Sequence, residues 1–201
     1  MISQIEDAII AHIKAAAAAA PGLGYKLPIV ASYGGELDDD LASVVRSFPA
    51  VWVTYAGSGK PRPYSTHRGK WIVPCAFAVM VGARNVRGER STRHGLTVGG
   101  VIKEVGAYQM LKDIGLLLIN QDFGLAIKNL VPGATKTLYN TKLNGQALAV
   151  FAREWHTEFV EEQPRVPIDL SDPDWLRLGI NYHLAPDDGK ADASDTVTLN
   201  P

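Results

Sequence analysis

The sequence predicts an α+β fold: a mixed, mainly antiparallel β-sheet packed on a long central helix, with an N-terminal helix added and a C-terminal β-arm following. Three observations lead there. Residues 101–120, VIKEVGAYQMLKDIGLLLIN, carry Val101, Val105, Tyr108, Leu111, Ile114 and Leu118 three or four apart, with Leu117 widening the stripe. Lys103, Glu104, Gln109, Lys112 and Asp113 fall on the other side, which is the pattern of an amphipathic helix with one buried face. The apolar runs before and after it alternate with a period of two, as strands do. Between two of those runs stands Asn144-Gly145, the strongest short hairpin signal a sequence can carry. Twenty helical residues span about 30 Å, and a stripe of that length needs a sheet to cover it.

Taken in order, the chain opens with Ser3 and Glu6 at capping-box spacing, which predicts a helix starting at Ser3. Ile2, Ile5, Ile9 and Ile13 make a narrow stripe, and the alanine run 15–20 extends it until Pro21-Gly22. Residues 21–35 read as a loop with a short strand near 29–31. Asp38, Asp39 and Asp40 precede residues 41–47; they favour the positive end of a short helix or bind a divalent cation. Residues 49–55, PAVWVTY, are a strand with Val51, Val53 and Tyr55 on one face and Ala50, Trp52 and Thr54 on the other. After a glycine- and proline-broken loop (57–70), residues 71–81 form a second strand. Its odd positions, Trp71 to Val81, are large and face the helix. Pro74 removes a ladder donor, so that end reads as an edge or a bulge. Residues 84–100 read as a polar loop of a length that is usually functional or disordered.

Beyond the central helix, strands 135–143 and 146–159 flank the Asn-Gly turn. Phe151, Trp155 and Phe159 hold one face of the second strand, and Glu154, His156 and Glu158 the other. Pro164 and Pro167 mark a linker. Residues 175–184 then alternate, 187–194 are turn-rich and 196–199 offer a last strand, too little for a core of its own. The expected organisation is a domain over 1–163 and an extension over 164–201 that packs on the domain or on a neighbouring subunit.

Composition narrows the class. With 201 residues, 46% of them hydrophobic, one domain can bury a real core. The formal net charge of −1 gives no global field toward nucleic acid or a membrane surface. Cys75 is the single cysteine, so no intramolecular disulfide forms, as suits a reducing compartment. No apolar run approaches a membrane span of about 20 residues, and Glu6 and Asp7 stand where a signal peptide would be basic.

Catalytic signatures fail in turn. Gly57-Ser58-Gly59-Lys60 is close to a phosphate loop, but Thr54 replaces its first glycine and Pro61 its magnesium-holding hydroxyl; a glycine-rich hairpin tip is the better reading. There is no G-x-S-x-G elbow, and His12, His67, His94, His156 and His183 lack metal-ligand spacing. No catalytic, cofactor or metal residues are assigned, and no enzyme is expected. Charge, by contrast, is segregated. Between Gly57 and Gly100, eight basic residues (Lys60, Arg62, Arg68, Lys70, Arg84, Arg87, Arg90, Arg93) face Glu89 alone, a net +7. From Thr157 to Pro201, ten acidic residues face three basic ones, a net −7. Either block alone is an ordinary solvated surface. Together they suggest a head-to-tail contact between copies, closing into a ring if the rotation allows, or basic loops facing phosphates. The candidate interaction residues are Lys60, Arg62, Arg68, Arg84, Arg87, Arg90 and Arg93, with Trp175 and Tyr182 as aromatic anchors on the arm.

The order of elements and the phrases ISQIEDAIIAHIK, FPAVWVTYAGS, FAVMVGARN, GAYQMLKDIGLLLINQDFGL and ALAVFAREWHTEF, spanning residues 2–159, resemble the Mu-like phage family of small tail proteins regarded as tail terminators. None of the phrases is a catalytic motif. The resemblance implies a structural virion protein with a helix-backed mixed sheet. It also implies a six-membered ring in the tail, near the neck, assembled in the host cytoplasm. The implied partners are other copies of the chain, the tail tube protein and the head–neck connector, with DNA passing through the lumen and no membrane. A head–tail connector or neck protein is the alternative, and a basic-loop nucleic-acid-binding module a further one. Tyr64 and the strand-edge Trp71 are the only aromatics of those loops, a poor stacking platform.

Overall fold

A computed structural model describes residues 1–19, 22–35, 48–65, 69–85, 88–143, 146–164, 177–184 and 189–198. The chain forms two compact units, Met1–Glu162 and Gln163–Pro201. In the first, helix α1 (Ile2–Ala18) buries Ile5, Ile9, Ile10 and Ile13. It begins one residue before Ser3: Met1 is the N-cap and no side chain caps the helix. Ile5 N–H already bonds the Met1 carbonyl, so Ser3 lies inside the first turn. Glu6 turns away from capping and accepts a hydrogen bond from the Ser32 hydroxyl. The Asp38–Asp40 cluster lies outside the described residues, as does the Asn144-Gly145 turn.

The sheet contains β1 (Ile29–Ser32), β2 (Ala50–Ser58), β3 (Arg62–Pro63), β4 (Lys70–Asn85), β7 (Val131–Leu143) and β8 (Gln146–Glu162). Their order is β1-β2-β4-β8-β7, with β3 paired to β4 off this path. β1 runs parallel to β2, and the other pairs are antiparallel. β4 and β8 pair from Lys70↔Glu162 to Asn85↔Ala147. Because opposite residues share a face, Val73, Cys75, Phe77, Val79 and Val81 of β4 join Phe151, Trp155 and Phe159 of β8 on the helix side, all buried. Trp71 escapes this core and is 46% exposed. On the other face Phe48, Ala50, Trp52, Met80, Leu148 and Val150 form a second cluster. Gly82 is required there, since a Cβ would meet the Phe48 ring at 2.7 Å. Pro74 lies in an interior strand, not at an edge. Its register position falls one beyond the last β2 pair, Ser58↔Cys75, and its carbonyl accepts from Gly59 N–H as β2 turns away. One missing donor is tolerated where the ladder on that side is ending.

The central helix is shorter than its stripe predicts. Residues 96–104 instead make a hairpin, β5 (Leu96–Val98) and β6 (Val101–Glu104), turned by Gly99 and Gly100 at positive φ. Helix α3 spans Ala107–Leu118, twelve residues, from N-cap Gly106, about 18 Å. At Gly106 the backbone is pressed against the preceding segment: a Cβ would lie 2.3 Å from Gly95 N. At the other end Asn120 adopts φ 60°, a left-handed stop. The buried face is rotated as well. Ala107, Met110, Ile114, Gly115 and Leu118 are buried, Leu111 packs partly against the core, and Tyr108 is 43% exposed. Small residues at 107 and 115 bring that side closest to the sheet. Residues 88–100 are not a structureless loop either. Helix α2 (Glu89–His94) docks through buried Thr92, whose hydroxyl donates to the carbonyls of Gly88 and Ala147.

In the second unit, β9 (Arg177–Tyr182) and β10 (Ala193–Thr198) pair antiparallel as a two-stranded ribbon. Trp175 lies outside the described residues.

Burial ranks the effects of substitution. Phe77→Ala and Met110→Ala, both at fully buried positions, should each cost about 2–5 kcal/mol through the cavity they leave. Lys112→Ala, exposed on α3, should cost less than about 0.5 kcal/mol. Denaturant melts of the three variants check this order, and a Lys112 variant as costly as the others would mean α3 faces the sheet differently.

Candidate interaction surfaces

The basic residues predicted to interact do not form one patch. Lys60 and Arg62 sit in the β2–β4 connection, where β3 pairs Arg62 with Ile72. Arg84, Arg90 and Arg93 sit at the far end of β4 and on α2. Twelve strand residues separate Ile72 from Arg84, roughly 40 Å at the usual rise. Arg68 and Arg87 lie outside the described residues. Tyr182 is on β9 in the second unit and 47% exposed.

Several of these cations are already engaged within the chain. Antiparallel pairing brings the end of β8 beside the β2–β4 hairpin. Arg62 grips Glu158 with two hydrogen bonds of 3.1 and 2.9 Å, the two-pronged geometry that makes guanidinium–carboxylate pairs strong. Lys70 pairs with Glu162 at 2.9 Å, and Lys136 of β7 with Glu154 at 2.9 Å. Glu154, Glu158 and Glu162 thus take alternate positions along one strand face, each met by a cation from a neighbouring segment. The Arg62 hydrogen bond holds the Glu158 carboxyl below its ordinary value against the opposing effect of burial, with the charges of Arg62 and then Lys128 adding to the lowering. Lys136 does the same for Glu154. Arg93 reaches Asn140 at 3.5 Å, a marginal contact. Lys60 and Arg90 are exposed and remain available to a partner.

On that same sheet face a groove of about 430 Å³ is lined by Ala56, Gly59, Pro74, Ala76, His156 and Glu158, among others. Its floor is made of small side chains. His156 stands 3.9 Å from Glu154 but is half exposed, and Gly133 leaves space for its ring, since a Cβ there would lie 2.4 Å from His156 Nε2. Burial, then Glu158, push the nearby Cys75 thiol up to about 11, so it stays protonated and unreactive at neutral pH. No group of three His, Cys, Asp or Glu able to hold a metal occurs among the described residues. Among the described residues no helix is long and apolar enough to cross a membrane. The Gly57–Lys60 stretch is part of a hairpin, with Gly57 at φ 118° beside a β-bulge, not a strand-to-helix phosphate cradle.

The family model for bacteriophage Mu, Gp37 matches residues 1–160. The chain belongs to this family. It is therefore a phage protein, of a structural rather than an enzymatic family. The match ends at the last strand of the first unit, so the β9–β10 ribbon is an addition to what the family model covers. No curated protein matches the chain.

Sequence reasoning missed the partners of the basic hairpin and one further residue, Arg153. It sits between Phe151 and Trp155 on the apolar face of β8. An arginine at an apolar position of an alternating strand was the available signal.

The Arg62–Glu158 pair makes a pH prediction. A carboxyl held below its ordinary value of about 4.5 favours the fold fully above that value and ceases to do so as pH falls through the lowered one. Acidification below about pH 4.5 should therefore weaken the fold. The Glu158 carboxyl, followed by NMR titration, should return toward its ordinary value in Arg62→Ala. An unchanged titration in that variant would mean the pair does not persist in solution.

Proposed function

We propose that the protein is a tail terminator: a ring, most simply of six copies, that caps the tail tube, stops its polymerisation and offers a surface for head–neck joining. The match to the Mu Gp37 family over residues 1–160 carries this reading. The placement of the cations supports it. A subunit that ends a tube must meet one partner below and another above. Lys60 at the hairpin end of the sheet and Arg90 on α2, past the other end of β4, are the docking groups. On this reading the partners are the tail tube protein, the head–neck connector and neighbouring copies, with DNA passing through the lumen, and the site is the virion tail near the neck. A nucleic-acid-binding module fits less well, because Arg62 and Lys70 already pair with carboxylates of their own chain.

Deletion of the protein from its phage should give tubes of uncontrolled length or tails that fail to join heads, as seen by electron microscopy. Normal tails and full infectivity would end the proposal. Lys60→Glu with Arg90→Glu should leave the fold intact, since both are exposed, and should weaken docking on purified tubes. The loss should shrink as salt is raised and the wild-type contact is itself screened. Strongly salt-dependent binding of the isolated protein to DNA, without binding to tubes, would favour the nucleic-acid module instead.

A further inference from the structure

Arg153 occupies a place where its strand face calls for an apolar side chain. Its guanidinium carbon stands 5.2 Å from the centre of the Trp155 ring. Nη1 lies 3.0 Å from where a Cβ on Gly115 of α3 would project, so this glycine makes the room. Nε is buried without a hydrogen-bond partner, and the described residues give Arg153 no ion pair. The crevice beside it, lined by Val79, Leu111, Ile114, Gly115 and Trp155, holds no volume for a water molecule. A guanidinium drawn partly out of water is stabilised by a carboxylate that can take both prongs, and within the described chain none arrives.

The surface around it is unfinished in two more ways. Among the described residues β7 is the edge of the sheet, with no strand paired along its outer side. Thr135 and Thr137 pair opposite Arg153 and Phe151, hence on the helix side, yet both are exposed. The helix layer stops short of β7. Along α3, Tyr108, Lys112 and Leu116 recur every fourth residue and are exposed, Leu116 by 66%, and Tyr108 meets Phe151 at 5.5 Å between ring centres. The result is a ledge: an open strand edge, two uncovered threonines, an apolar helix flank, and Arg153 and Lys112 as its cations.

The ribbon of the second unit has the complementary chemistry. Its register sets Ile180 opposite Asp195, Leu178 opposite Val197 and Tyr182 opposite Ala193. The reverse face is Gly179, Asn181, Ser194 and Thr196, all small or polar. Asp195 therefore sits in the middle of an apolar face on which Tyr182 and Val197 are 47% and 42% exposed. A two-stranded ribbon is marginal in water by itself.

From these features we infer that the ribbon of a second copy lies along this ledge. It extends the sheet from the open edge of β7, sets Tyr182 and Val197 against Tyr108 and Leu116, and brings the Asp195 carboxylate to the Arg153 guanidinium. Charge complementarity, two open strand edges and two uncovered apolar faces select this occupant over the basic hairpins. The inference deepens the ring reading and rests on its self-association.

The test uses full-length chains. One carries Thr135→Cys, the other Val197→Cys, and the two are mixed and oxidised; the native Cys75 is buried and takes no part. A disulfide-linked dimer of one chain of each kind is expected, and at least tenfold less of it when Ser194→Cys, on the polar face, replaces Val197→Cys. Asp195→Asn, which leaves the first unit untouched, should lower the association constant at least tenfold by sedimentation, as should Arg153→Met. Arg153→Asp with Asp195→Arg should restore association. A link formed only inside a doubly substituted single chain overturns the inference, as does unaltered association in Asp195→Asn. Oligomers that persist without the cross-link overturn this contact and leave the ring standing. A protein that is monomeric at every concentration overturns both.

Discussion

The structure depends on the ladder between β4 and β8, which pairs Lys70 with Glu162 at one end and Asn85 with Ala147 at the other without a register shift. A slip of β8 by one residue would send Trp155 and Phe159 to the opposite face and bring Glu154 and Glu158 under the helices. The hydrophobic effect therefore holds the register: each large side chain buried there contributes about 1.5–3 kcal/mol, and a slip would forfeit several at once. With the register held, every other feature is placed. The helix side collects Phe77, Val79, Val81, Phe151, Trp155 and Phe159, and the opposite face collects the charged positions of β8.

The same ladder decides the electrostatics. In the sequence the basic stretch 57–100 and the acidic stretch 157–201 look like complementary surfaces waiting for separate molecules. Antiparallel pairing brings their near ends together inside one chain, so Arg62 meets Glu158 and Lys70 meets Glu162. These exposed pairs contribute little to stability. They do commit those cations within the chain, whereas Lys60 and Arg90, at opposite ends of the sheet, are exposed.

Helix coverage is the second constraint on function. The break at Gly106 shortens α3 and swings Val98 and Val101 out on the β5–β6 hairpin, where both are more than half exposed. What remains of the helix covers β4 and β8 and leaves the helix side of β7 open.

The sequence by itself determined the strand alternation, the isoleucine stripe of α1 and the two faces of β8, because periodicity reports burial directly. It also carried the family, in phrases spread over residues 2–159. It could not show that the apolar stripe of residues 101–120 is divided between a hairpin and a helix. Valine and leucine at helical spacing serve either state, and the break falls where the backbones of Gly95 and Gly106, residues eleven apart, approach closely. The capping-box spacing at Ser3 was likewise overruled, because Ile2 is also drawn against the core. Only tertiary structure decided which charges are committed. Arg62 and Glu158 lie 96 residues apart, and local pattern carries no information over that separation; the pair exists because the register of the whole sheet, set by its buried side chains, puts the two strand ends side by side.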